Sequence, residues 1–216
     1  MRHHAAEAGS VTVLQQTSFQ AKVAKSHSTP RRTNLWPWLG VVAVLALGAY
    51  ALRSEGRFWI CSCGKFSLWA GQVCSSDNSQ QLFDPYSFTH VLHGFLYLWL
   101  IVLVLPRLRP AWQLWLAIVA GTLWEIFENS SFIIQRYRAE TASLGYQGDT
   151  VVNSLGDVIC AVLGFLIARR LGLRRSLVLF VVIELILLIW IKDSLTLEIL
   201  MLVRPVNAIK AWQMCK

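Results

Sequence analysis

The chain is 216 residues long, 55% apolar and only 15% charged, with ten Trp and a net charge of +8. With a mean hydropathy of +0.49, it fits a membrane protein better than a soluble domain. Its basic residues cluster beside apolar runs (Arg31 and Arg32, Arg107 and Arg109, Arg169 and Arg170, Arg174 and Arg175), so the expected partners are membrane lipids and not nucleic acid.

Residues 1 to 34 are rich in Ser, Thr, Arg and Lys, with Glu7 the only acid. They bury too little apolar area to fold alone and are expected to form a disordered basic arm ahead of one helical transmembrane domain, residues 35 to 216. The first apolar run, Leu35 to Leu52, just reaches across a ~30 Å hydrocarbon core at ~1.5 Å per residue. Ala49-Tyr50-Ala51 has the small-x-small form of a signal cleavage site, so removal of this run is the alternative; the long leader before it favours an anchor.

The segment from Arg53 to Pro85 carries Cys61, Cys63 and Cys74, then the polar run Ser75 to Gln81. Length and composition suit a lid or a plain connector. In an oxidising compartment a disulfide from Cys74 to Cys61 or Cys63 is favoured over a metal site, while Cys160 reads as packing.

Four further apolar runs follow: Tyr86 to Leu105, Ala111 to Ile134, Thr150 to Ala168 and Ser176 to Ile191. Basic hairpins, Pro106 to Pro110 and Arg169 to Arg175, separate the first pair and the last pair. If both hairpins share a side with the basic arm, the positive-inside rule makes that side cytoplasmic. Trp36, Trp38 and Trp112 then form an inner aromatic belt, with Trp190 at the outer interface. The expected fold is all-α: a polytopic transmembrane bundle of about five spanning helices, N-terminus cytoplasmic, with an outer interfacial helix from the tail Ser194 to Lys216. Small residues on the fourth run (Ser154, Gly156, Ala161, Gly164, Ala168) let a neighbour approach closely.

This threading brings acid-base residues to a shared depth near the outer face: His90 and His93, Glu125 and Glu128, Asn153 and Asp157, each pair about one helical turn apart. Imidazoles and carboxylates at one depth supply ligands for zinc, iron or manganese. His90, His93, Glu125, Glu128 and Asp157 are the candidate ligands of a divalent metal. Without metal, Glu125, Glu128 and Asp157 are candidate acid-base groups, with Asn129 and Asn153 orienting them. Three readings stand side by side: a catalytic or metal site, a structural hydrogen-bond network, and a path for protons or solutes. Glu184, deeper in the fifth run, suits an interhelical hydrogen bond. Asp149 or Thr150 caps the fourth run.

Asp84 to Gly94 with His90 and His93, Cys61-Ser62-Cys63-Gly64, Ser75 to Gln80, Trp124-Glu125-Ile126-Phe127-Glu128-Asn129-Ser130, and the tail from Leu195 to Gln213 resemble a family of uncharacterised bacterial inner-membrane proteins. The likeness runs from about residue 57 to 213 and departs at Gln81, where the family pattern has His, and at Pro85, where it has Trp. The order of a His-x-x-Gly-like element, then Glu-x-x-Glu, then Gly148-Asp149 and Asp157 is also similar to VanZ-like membrane proteins. Neither resemblance supplies a reaction. The expected protein is a multi-pass protein of the bacterial inner membrane, with a site that the threading above turns toward the periplasm. Its expected role is metal-assisted or acid-base chemistry on an amphipathic or lipid-linked envelope substrate. The alternatives are a non-enzymatic envelope component and proton-coupled transport.

Overall fold

A computed structural model describes residues 36–143 and 145–214, and the basic arm expected over 1 to 34 lies outside them. The described residues form seven helices. We number them α1 (Trp36–Ser54), α2 (Ser87–Val104), α3 (Pro110–Glu128), α4 (Ser131–Glu140), α5 (Val151–Trp190), α6 (Leu195–Val203) and α7 (Asn207–Gln213).

α2 is the central helix, packed most extensively on α5 and also on α3. Phe95 and Phe165 are fully buried where they meet, with Ala117 and Ala168 beside them. Small residues permit the close crossing: a Cβ on Gly94 would lie 2.0 Å from the Ala161 carbonyl oxygen, and one on Gly164 only 1.9 Å from that of Val91. α5 reverses direction at Gly172, whose φ of 73° lies in the left-handed region that favours glycine. The first limb brings Asp157 to Ser87, and the second returns to place Trp190 on Phe88. Arg169 Nη1 donates to Gln113 Oε1 at 2.9 Å, so the Gly172 bend and the Pro106–Pro110 turn share one end of the bundle. The site described below is at the other end.

The helices form where the apolar runs predict them, but the expectation of about five spanning helices is not met. Among the described residues one helix, α2, is long and apolar enough to cross a membrane, with a mean hydropathy of 1.7. Two local breaks interrupt the runs. The run from Ala111 to Ile134 ends as a helix at Glu128, because the Ser130 side chain accepts from Ile133 N and starts the separate ten-residue α4. The fourth and fifth runs form two limbs that meet at Gly172 with no loop between them, the bend flanked by Arg169, Arg170, Arg174 and Arg175.

The outer tail packs against the bundle. It forms two short helices, α6 and α7, broken at Pro205, which cannot continue a helix. They lie against α4, with Arg136 Nε donating to Leu202 O at 2.8 Å and Lys210 Nζ donating to Ala139 O. Leu195 and Met201 of α6 are buried.

The segment between α1 and α2 is tied to the bundle. Phe58 and Trp59 carbonyls accept from Val151 and Val152 N–H, and Ser79 O accepts from Thr150 N, satisfying donors at the start of α5 that a helix leaves open. Cys61 pairs with Cys63, not with Cys74, which is itself disulfide-bonded. Cys160 is free and buried.

Candidate functional site

The site starts at the N-terminus of α2. The Asp84 carboxylate accepts from Ser79 N at 2.7 Å and Tyr86 N at 2.8 Å, while Ser87 Oγ accepts from Asp84 N at 3.1 Å. These contacts fix the turn that leads into α2. They also aim the Ser87 hydroxyl, which donates to Asp157 Oδ1 at 2.9 Å.

One turn on, His90 lies between carboxylates from two other helices. Its Nδ1 is 3.2 Å from Glu125 Oε1 and its Nε2 is 3.8 Å from Asp157 Oδ2. All three residues are buried, and their donor atoms lie within 4.8 Å of one another. The chain thus brings together three of the residues singled out by helical spacing, one each from α2, α3 and α5.

The other predicted residues take separate positions around this triad. His93 packs between Tyr97, at 5.9 Å between centroids, and Trp124, at 4.8 Å. Its buried Nδ1 has no protein partner. Glu128 accepts from the Tyr137 hydroxyl at 2.8 Å and faces the cavity beside the triad. Asn129 is fully buried and clamps a loop: it donates to Asp149 Oδ2 at 2.8 Å and accepts from Asp149 N at 2.6 Å. Asn153 donates to Gln81 O at 2.8 Å. Both Asn side chains therefore hold backbone in place near the triad. Gln81 turns away from the triad, its side chain accepting from Ser67 N at 2.6 Å. The cap of α5 is Thr150, which accepts from Asn153 N at 3.2 Å. Glu184 accepts from Thr196 N at 3.2 Å, linking α5 to α6.

The cavity has a volume of about 60 Å³ and a wall that sequence reasoning missed. Asp193, Glu198 and Tyr86 line one side, Tyr137, Tyr146 and Asp149 another. Tyr86 donates to Asp193 Oδ2 at 3.4 Å and Tyr146 to Asp149 Oδ1 at 2.9 Å. Burial pushes the Asp149 and Asp193 carboxyls up to about 6 and raises Glu198 well above the ordinary carboxylate range, with Asp193 adding repulsion. The only sequence signal for this wall was the Gly148-Asp149-Thr150 turn; the tail acids stand in no pattern.

Because Asp149 and Asp193 have raised pKa values, the stability they contribute is present in acid and lost as pH rises through about 6. Melting of the purified protein is therefore expected to drop between about pH 4 and about pH 6. Asp193→Asn should flatten part of that slope. A wild-type slope of the opposite sign would contradict this description of the wall.

The sequence profile of a family described as "Protein of unknown function (DUF2585)" matches residues 52–215. Among curated relatives, a UPF0314 protein of Sphingopyxis alaskensis is 48% identical over 178 residues, covering 82% of this chain and 94% of that protein. A UPF0314 protein of Rhizobium meliloti is 45% identical over 183 residues, 85% of this chain and 92% of that protein. One of Brucella anthropi is 42% identical over 173 residues, 80% and 88% respectively. No solved structure gives a significant match. These relatives bear out the resemblance to an uncharacterised family and add nothing to the VanZ-like one. The chain belongs to the DUF2585 family.

Proposed function

We propose that this protein is seated in the bacterial inner membrane and holds a divalent metal ion on His90, Glu125 and Asp157, for metal-assisted or acid-base chemistry on an amphipathic or lipid-linked substrate. The observation that carries the reading is the triad: three metal-type donors from three helices, all buried and within 4.8 Å of one another. Glu125 Oε2 is buried without a partner, and uncompensated buried carboxylates call for a cation. Imidazole with carboxylates suits zinc, manganese or iron. Glu128 and His93, beside the cavity, are the groups placed to hand on a proton. Asn129 and Asn153 act as positioning residues.

Membrane seating is supported by α2 and by large apolar side chains that face outward. Val42, Leu47 and Tyr50 of α1 are 64%, 67% and 74% exposed, and Leu103 and Ile189 reach 79% and 83%. Water would penalise such a surface at about 25 cal/mol per Å², and lipid does not. With the arginine-rich end cytoplasmic, the site faces the periplasm. An exposed aromatic cluster, Trp69, Phe88 and Trp190, stands beside Tyr86 and offers an apolar tail a contact.

The competing reading is a structural network, and the fully paired Asn129–Asp149 clamp favours it for those two residues. Protein stripped with EDTA and supplied with zinc, manganese or iron(II) separates the two. The metal reading expects one tightly held ion, lost in a His90→Ala/His93→Ala variant that still sediments with membranes and melts cooperatively. No ion in either protein would remove it.

A further inference from the structure

We propose that the cavity beside the triad is a receptor for a protonated amine, borne by a free amine or by a lipid headgroup. This names the substrate class of the same site and so rests on the reading above. Six carboxyl groups line the cavity: Asp84, Glu128, Asp149, Asp157, Asp193 and Glu198. Among the described residues no Lys or Arg lines it. Such a chamber repels phosphate and carboxylate and attracts positive charge.

An acidic wall alone would not define a ligand, but His93 supplies an independent sign. It is 6% exposed, lines the cavity, and its Nδ1 has no partner. A neutral imidazole nitrogen is an acceptor suited to an ammonium N–H.

The geometry favours an organic cation over a second metal ion. Among the described residues, Glu128, Asp149, Asp193 and Glu198 belong to no group of three donors close enough to share one ion. Three carboxylates of the wall instead accept tyrosine hydroxyls: Glu128 from Tyr137, Asp149 from Tyr146 and Asp193 from Tyr86. Each acid thus brings a ring into the wall, and carboxylates spaced among aromatic rings bind ammonium groups through charge, hydrogen bonds and cation–π attraction. A volume of about 60 Å³ holds a small ammonium head, and the Trp69, Phe88 and Trp190 cluster outside it suits the attached chain.

The test uses full-length protein in phosphatidylcholine nanodiscs, titrated calorimetrically with octylamine and, as uncharged and anionic counterparts, octanol and octanoate. Saturable binding of octylamine alone is expected, weakened at least tenfold by Glu198→Gln and by Tyr146→Phe. Equal binding of octylamine and octanol overturns the proposal, as does calcium or manganese binding in the chamber with no amine affinity. If a variant fails to fold, the wild-type comparison decides by itself. Adding phosphatidylethanolamine to the disc distinguishes the source: weaker octylamine binding means the headgroup occupies the chamber, and unchanged binding means a free amine does. Each sample is also assayed for metal. Amine binding by metal-free protein that cannot be reloaded overturns the metal centre alone, and a loaded protein blind to amine overturns the amine receptor alone.

Discussion

Gly164→Leu is expected to leave almost no folded protein. A single Cβ at this position would already stand 1.9 Å from the Val91 carbonyl oxygen, and that oxygen belongs to the backbone of the central helix, which no rotamer change can move. Overpacking in a core costs about 1–3 kcal/mol even where side chains can shift, and total stabilities are only about 5–15 kcal/mol. Gly164→Ala should fold with a clearly lowered melting temperature, and Gly94→Ala, which strikes Ala161 O from the other helix, should behave alike. Because both changes force the same two helices apart, the double variant should lose less than the sum of the singles. Unchanged melting of either single variant would contradict the crossing described here.

His90→Ala is expected to reduce metal affinity by more than about 100-fold, because even residues that merely orient a ligand are worth about 10–100-fold. Asp157→Asn should approach that loss, since it removes the carboxylate charge while keeping the Ser87 contact through its amide oxygen. Asn129→Ala should act differently. It frees the Asp149 loop and so should lower the melting temperature while leaving metal stoichiometry intact. Competition titrations with a chromogenic chelator measure all three. If Asn129→Ala abolished metal binding and Asp157→Asn did not, the roles given to the two residues would be reversed.

Much of the helical layout is legible in the sequence because apolar runs and helices coincide: the run Tyr86 to Leu105 becomes α2 with hardly a shift. Run length does not reveal where helices stop, so apolar runs overstate the number of spans. Ser130 splits one apolar run between two helices by capping the second, and Gly172 turns the chain back between two others without a loop. Both effects depend on single residues that hydropathy averages away.

The triad was legible for a different reason. His90, Glu125 and Asp157 are each costly inside an apolar run, and their depths from the same end coincide once the turns are placed. The acid wall was hidden because Asp193 and Glu198 come from the tail and Asp84 from the turn before α2, where acids are ordinary. Only the folding of α6 over α4 brings the tail acids to the cavity. The disulfide was likewise beyond reach of spacing alone, since Cys61 and Cys63 pair at a sequence separation of 2.

X-ray absorption on metal-loaded, full-length protein tests the central claim most directly. The account predicts one ion per chain with a first shell of nitrogen and oxygen at about 2.0–2.2 Å if zinc is bound, including a single imidazole that disappears in His90→Ala. A spectrum with sulfur ligands, or one identical in wild type and His90→Ala, would contradict it.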